Sequence, residues 1–351
     1  MRRAITLLSA ITVAAMGWTL GTAQAAPTPP PPPRSAQAGA AADGAAADGA
    51  HETSFSAEQQ RSALRFWTAE RLRGARDMTT QRQTGATENR SSVAAAGPRV
   101  TVPPVSAPKS VPTSGEASPS VAASSPTPWT GGGLISTTAG KVFFQNASGG
   151  TFACSATVAN ADNKSVVLTA GHCVVDAGTG EVYRNWVFIP GYANGNRPFG
   201  TFTARSLFHL GQYVSTGGNA NWDLAFAVMG QVNGRSLVDT VGAQGIAFNS
   251  PTGRHVHSFG YGGSAAEGNG ERLNHCEGDE YPDAGRPGST MWGIDCVQTG
   301  GSSGGGFLAD FDTSNGGGYL IGNISVSAGN NEYHPTLGNE ALDLYRQAGA
   351  A

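Results

Sequence analysis

The chain has 351 residues and a formal net charge of −3; only 13% of its residues are charged and 50 are glycine. That length allows one to three domains, and low charge with abundant glycine suits a turn-rich all-β protein better than a helical enzyme. Residues 1–129 hold 12 Lys+Arg against 8 Asp+Glu and residues 130–351 hold 10 against 17, an acidic balance without a basic patch that argues against a nucleic-acid partner.

In chain order, Met1-Arg2-Arg3 is a short basic start, Ala4 to Leu20 is apolar, and Ala23-Gln24-Ala25 is a small-x-small cleavage site. This pattern predicts a secretory signal peptide over 1–25. Residues 26–129 read as a pro-segment and a Pro-rich linker, mostly disordered. Within them Ser56-Ala57-Glu58-Gln59 reads as a capping box opening one or two short helices with Leu64, Phe66, Trp67 and Leu72 among charged residues. From Pro98 to Pro128 the composition returns to Pro, Ser, Val and Ala. From Lys141 onward short apolar runs recur between Gly, Asn and Asp clusters and predict strands near 141–144, 152–158, 165–169, 186–189, 199–208, 224–229, 256–261, 306–308 and 319–324. One helix closes the chain, with Asn339 as its expected N-cap and Ala341, Leu344, Tyr345 and Ala348 at helical spacing.

Three segments carry chemistry. Thr169-Ala170-Gly171-His172-Cys173 follows an apolar run; Asn221-Trp222-Asp223-Leu224-Ala225 puts a carboxylate at the head of a strand; Gly300-Gly301-Ser302-Ser303-Gly304-Gly305 presents serine in a glycine-rich turn. A serine hydroxyl needs a neighbouring base to become a nucleophile, and glycines let backbone N–H groups approach an oxyanion. The order is His, Asp, Ser, separated by 51 and 80 residues.

TAGHC, WDLA and GGSSGG together resemble the trypsin/chymotrypsin-type serine peptidases, in their secreted bacterial branch near the glutamyl endopeptidases. The resemblance runs from about Gly131 to the C-terminus, and the segment Phe66–Ala75 is similar to pro-segments of bacterial peptidases of that group. It implies an all-β fold of two packed six-stranded antiparallel β-barrels with a C-terminal helix, over a peptidase domain of residues 130–351. It implies catalytic roles for His172, Asp223 and Ser303, with Ser303 rather than Ser302 as nucleophile, and an oxyanion hole from the N–H groups of Gly301 and Ser303. Four cysteines in an exported chain allow three connectivities; the resemblance favours Cys154–Cys173 and Cys276–Cys296.

Two departures from the family matter. Trypsin-type zymogens place an aspartate just before the nucleophile to pair with a new N-terminus; here that residue is Ser302, so activation follows another route. The position of the aspartate that selects Lys or Arg holds Val297, followed by Gln298, so neither basic nor glutamyl specificity is expected. Val297, Gln298, Ser325 and Ser327 are the expected pocket residues.

Gly301-Ser302-Ser303-Gly304-Gly305 also satisfies GxSxG, but an α/β-hydrolase needs its acid and histidine after the serine and alternating helices. A catalytically silent binding module is the other alternative, against which stand all three triad residues. His255-Val256-His257 places two imidazoles on one strand face, which could hold a metal but is commoner as plain surface. The acidic group Glu277, Asp279, Glu280 and Asp283 reads as a solvated loop. No metal or cofactor is expected. The expected product is a secreted, extracellular monomeric serine endopeptidase without a membrane segment, whose partners are peptide substrates and its own pro-segment.

Overall fold

The computed structural model describes residues 49–78, 97–108 and 125–351. The signal-peptide reading over 1–25, the stretch to residue 48 and much of the linker lie outside the described residues.

The first half of the peptidase region closes into a six-stranded barrel. Its strands are Ala139–Gln145, Thr151–Ala159, Val166–Thr169, Arg184–Pro190, Phe202–Leu210 and Ala225–Met229, and the pairing of Val187 with Thr203 and Phe188 with Phe202 completes the ring. Strand alternation serves two cores at once. Cys154, Ala156, Val158, Val167, Ala225 and Ala227 fill the barrel, while Val166, Leu168, Phe226 and Val228 face the packing layer beneath it. This is why these strands read as continuous apolar runs rather than an apolar-polar alternation.

The second half builds a seven-stranded sheet and a four-stranded sheet. Gly245–Phe248, Gly317–Asn323, Gly306–Asp312, His255–Gly260 and Asn274–Asp279 are the middle strands of the larger sheet, with one parallel pairing of Gly245 to Tyr319. Trp292–Ile294, Asn331–His334 and Val326–Ala328 belong to the smaller one. Both disulfides have the pairing the resemblance favoured, Cys154–Cys173 and Cys276–Cys296.

The closing helix, Asn339–Ala350, buries Ala341, Leu344, Tyr345 and Ala348 as its spacing predicts, against Phe226 and Phe248 of the two halves. Its N-cap is Gly338 rather than Asn339. Asn339 Oδ1 instead accepts a hydrogen bond from Asn249 Nδ2 at 2.9 Å, so the side chain that could have capped the helix ties it to the preceding sheet.

The region ahead of the peptidase domain contributes ordered elements. Ala50–Ser54 pairs antiparallel with Phe202–Leu210, and Arg76–Asp77 pairs parallel with Thr151–Ala159. Between them run the helices Ala57–Phe66, with the predicted capping box at Ser56, and Ala69–Gly74, capped by Thr68. Ala63, Trp67 and Leu72 bury themselves on Phe143, Val187, Ile189 and Tyr192 at the outside of the barrel. Trp67 also donates from Nε1 to the Asn185 carbonyl at 2.6 Å. Further on, Val100–Val102 and Thr127–Pro128 each add an edge strand to the seven-stranded sheet. No helix among the described residues is long and apolar enough to cross a membrane.

Trp67 is the largest anchor of this N-terminal embrace. Trp67→Ala is expected to cost the full chain about 3 kcal/mol, as for other buried aromatic truncations, read by urea denaturation. A loss below about 0.5 kcal/mol, the ordinary range for a surface substitution, would show that the helices merely rest on the barrel.

Candidate active site

The three sequence motifs converge at the junction of the two halves. His172 sits in the 3-10 turn Gly171–Cys173 that follows the strand Val166–Thr169, and Asp223 follows the 3-10 turn Ala220–Trp222 just before the strand Ala225–Met229. Those two strands pair directly, Ala225 opposite Thr169, so the histidine and the aspartate leave the sheet side by side.

Asp223 is fully buried and its carboxylate is saturated with donors. Oδ1 accepts the His172 backbone N–H at 2.8 Å. Oδ2 contacts His172 Nδ1 at 2.8 Å and accepts the Ser325 hydroxyl at 2.5 Å. Burial pushes this carboxyl up, but the His172 charge and the hydrogen bonds from His172 and Ser325 outweigh it, and the group ends below its ordinary value. The carboxylate holds the imidazole by Nδ1, which leaves His172 Nε2 buried with no hydrogen-bond partner.

Ser303 reaches the same place from the second half. Its carbonyl accepts the Ser155 N–H at 2.8 Å and lies 3.7 Å from Cys173 Sγ, next to His172. Ser155 is the knot of this junction. Its hydroxyl donates to the Gly301 carbonyl and accepts from the Tyr261 N–H, and its carbonyl accepts the Thr169 hydroxyl. One residue of the strand Thr151–Ala159 therefore holds both the histidine loop and the serine loop.

The glycines of the serine loop have specific causes. Gly301 and Gly304 have φ of +92° and +85°. A Cβ on Gly304 would stand 2.2 Å from Thr169 Oγ1 and 2.3 Å from the Ser155 carbonyl, so only glycine lets the two loops meet. Ser302, where the family's activation aspartate would be, donates its hydroxyl to the Thr299 carbonyl at 2.6 Å and so closes the turn locally.

Several residues that sequence reasoning missed shape the site. Glu267, almost wholly buried, accepts the Thr299 N–H at 3.0 Å and also bonds the Thr299 hydroxyl, bracing the approach to Gly301. Glu332 lies behind the expected pocket. It accepts from the Ser258 hydroxyl and, at 2.9 Å, from the Gln298 N–H, and burial pushes its carboxyl up to about 7. Of the expected pocket residues, Gln298 is buried and donates to Ser258, Val297 is half-buried, Ser327 is exposed, and Ser325 is engaged with Asp223. Neither glutamate sits in a motif, so nothing local in the sequence marks them.

The other unforeseen feature is Met78. Its N–H donates to the Ala153 carbonyl at 2.8 Å and its carbonyl accepts the Gly301 N–H at 3.0 Å. The Asp77 carboxyl packs over the same glycine, where a Cβ on Gly301 would come within 2.8 Å of Asp77 Oδ1.

The barrel, the buried His–Asp pair and the glycine-framed serine define a chymotrypsin-type fold with the residue set of a serine peptidase. The α/β-hydrolase alternative fails on the fold, because the serine loop lies between antiparallel strands with no alternating helices. Comparison with solved structures agrees. The chain is similar to the protease Anisep from Arthrobacter nicotinovorans, with 38% identity over 61% of this chain and 96% of that one and a TM-score of 0.58. It is also similar to AL20, a thermostable serine protease from an extremophilic microorganism, with 34% identity over 62% and 99% of the two chains and a TM-score of 0.56. A Glu endopeptidase, 17% identical over 64% and 97% of the chains with a TM-score of 0.51, shares the fold. The chain belongs to the trypsin/chymotrypsin-type serine peptidases. No family model matches it, and no curated protein does.

Asp223 supplies a pH test of the pair. A carboxyl depressed in the folded state contributes stability above the unfolded value of about 3.9 that is lost as pH falls through the folded one. Ser325→Ala removes one of the depressing hydrogen bonds, so acid unfolding should begin at higher pH and neutral stability should drop by about 1–3 kcal/mol. Circular dichroism against pH reads this; an unchanged acid midpoint would mean Ser325 does not support the carboxylate.

Proposed function

We propose that the chain is the precursor of a secreted serine endopeptidase that cleaves peptide bonds through an acyl-enzyme. The observation that carries this reading is His172, clamped by a buried Asp223 through Nδ1 and left with a free, buried Nε2 beside the Ser303 loop. In this role Ser303 Oγ attacks the scissile carbonyl and gives its proton to His172 Nε2, which returns it to the leaving amine; Asp223 fixes the tautomer and stabilises the imidazolium. The N–H groups of Gly301 and Ser303 receive the oxyanion, a donor of this kind being worth about 10²–10³ in rate. Water then repeats the sequence on the ester.

The full chain is then a blocked form. Met78 occupies the Gly301 donor with its own carbonyl, while Trp67 and Leu72 anchor the segment on the barrel. Activation removes residues through Met78. The cut falls before Val100, because the strand Val100–Val102 is an edge of the second half's sheet and Val105 bridges to Ala243 just ahead of the neighbouring strand, and losing them would open that edge. On this reading the mature chain starts between residues 79 and 99, earlier than the boundary at 129 that composition suggests.

The reading makes three tests. Ser303→Ala should abolish covalent labelling of the processed protein by a fluorophosphonate, whereas Ser302→Ala should leave it; labelling that survives Ser303→Ala would falsify the nucleophile assignment. The intact chain should label at least tenfold more slowly than the processed one, and mass analysis of the active product should place its first residue between 79 and 99. Equal labelling of both forms would remove the inhibitory role from Met78.

The third test concerns the residue before the cleaved bond. Val297 offers no carboxylate, Gln298 is neutral, and Glu332 behind it already accepts two hydrogen bonds. A buried cation without a paired carboxylate costs several kcal/mol, so uncharged residues should dominate in peptide-library cleavage. Because the Glu332 carboxyl lies at about 7, any minor cleavage after Lys or Arg should grow as pH rises past that value. Dominant basic cleavage at pH 6 would overturn this assignment of the pocket.

A further inference from the structure

The antiparallel pair His255–Gly260 and Asn274–Asp279 carries a second cluster of chemically capable side chains, away from the serine site. In its register His255 faces Asp279, His257 faces Glu277, and Phe259 faces His275. Alternate residues share a face, and opposed residues on that face stand about 5 Å apart at Cβ. Three histidines and two carboxylates thus crowd one face of one ribbon.

Their polar atoms converge. His257 Nδ1 lies 2.8 Å from His275 Nε2 and 3.2 Å from Glu277 Oε2, His275 Nε2 lies 3.9 Å from that same oxygen, and His255 Nε2 lies 4.0 Å from it. A proton on one nitrogen can bridge the imidazole pair or reach the carboxylate, whereas a single cation can be shared by several of these converging atoms. Zinc bonds of about 2.0–2.1 Å to nitrogen and oxygen put neighbouring ligand atoms of a tetrahedron roughly 3.3 Å apart; the separations of Glu277 Oε2 from His257 Nδ1 and His255 Nε2, 3.2 and 4.0 Å, are near enough for one ion to draw them in. Outside the cluster, Asp279 Oδ1 contacts His255 Nδ1 at 2.9 Å, leaving Nε2 as the coordinating atom, the outer carboxylate that metal-bound histidines ordinarily have.

We propose that His255, His257 and Glu277, whose ligand atoms lie within 4.8 Å of one another, form a structural site for a divalent transition metal beside His275, with Zn²⁺ the ion best matched to these donors. His257, His275 and Glu277 are buried and His255 is exposed, so the ion enters from the His255 side. Trp129, Phe259 and Phe311 ring the histidines with apolar surface. The strand Thr127–Pro128 pairs with Asn274 and His275, and Trp129 stacks edge-on against His275 at 5.2 Å. Metal bound here pins the incoming chain to the second half. Ser258, on the opposite face of the same strand, points to Glu332 and Gln298, so the ion stands outside the pocket. Of the acidic group read as a solvated loop, Asp279 is exposed but the other three are buried. Glu277 belongs to this cluster, Glu280 is buried against His334 at 2.7 Å, and Asp283 pairs with Arg286.

The test uses the full chain, stripped with a chelator and titrated with ZnCl₂ by calorimetry and thermal unfolding. One equivalent should bind, and Zn²⁺ at a hundredfold excess over Kd should raise Tm by about 5 °C or more. Glu277→Gln should weaken binding at least tenfold, His257→Asn should abolish it, and His209→Asn, outside the cluster, should leave it unchanged. Co²⁺ added to the unsubstituted chain gives a readout that does not depend on variants folding. An intense four-coordinate visible spectrum displaced by Zn²⁺ supports the site. The weak spectrum of hydrated Co²⁺, non-saturating Zn²⁺ binding, or equal binding by Glu277→Gln overturns it.

Discussion

The junction of the molecule depends on one buried charge. Asp223 has no solvent to stabilise its carboxylate, so the protein must surround it with donors, and those donors come from separate parts of the chain: the backbone and ring of His172 from one turn and the Ser325 hydroxyl from the second half. A buried carboxylate left short of partners is costly. Satisfying it therefore forces the histidine turn and the second half into fixed positions. The free nitrogen of His172 and the placement of Ser303 are consequences of that electrostatic requirement, with Ser155 locking the two loops to one strand.

The N-terminal embrace is built on the same geometry. Its strand Arg76–Asp77 extends the sheet beside Thr151–Ala159, the strand that carries Ser155, and so delivers the Met78 carbonyl to Gly301 by ladder pairing rather than by a dedicated inhibitory motif. Most of the holding energy lies elsewhere, in Trp67, Ala63 and Leu72 on an apolar patch of the barrel. The anchoring contacts and the contact to Gly301 are thus separate in the chain. The opposite net charges of the two regions add long-range attraction that salt would screen.

The strand His255–Gly260 shows how strand periodicity lets one element serve two purposes. Ser258 faces Glu332 and Gln298 behind the serine loop, while His255 and His257 share the other face with His275 and Glu277. A metal on the outer face and a polar network on the inner one would both resist slippage of this ribbon, because a one-residue shift would exchange the two faces.

Much of this was legible in the order of residues. Apolar runs bounded by Gly, Asn and Asp located most strands because local periodicity and turn chemistry are properties of neighbours in sequence, and the final helix announced itself through Ala341, Leu344, Tyr345 and Ala348. The short strands Trp292–Ile294 and Asn331–His334 escaped notice, since each exists by pairing with the other and carries little apolar signal of its own. His172, Asp223 and Ser303 stood out because glycine and cysteine mark their turns. Ser155, Glu267 and Glu332 did not. Their roles rest on hydrogen bonds across long sequence separations, such as 146 residues from Ser155 to Gly301, which no local pattern encodes. The same holds for Met78, the Asn339 side chain and the partners of His255 and His257: sequence determined what each residue can donate or accept, and only the tertiary structure decided which partner stands within reach.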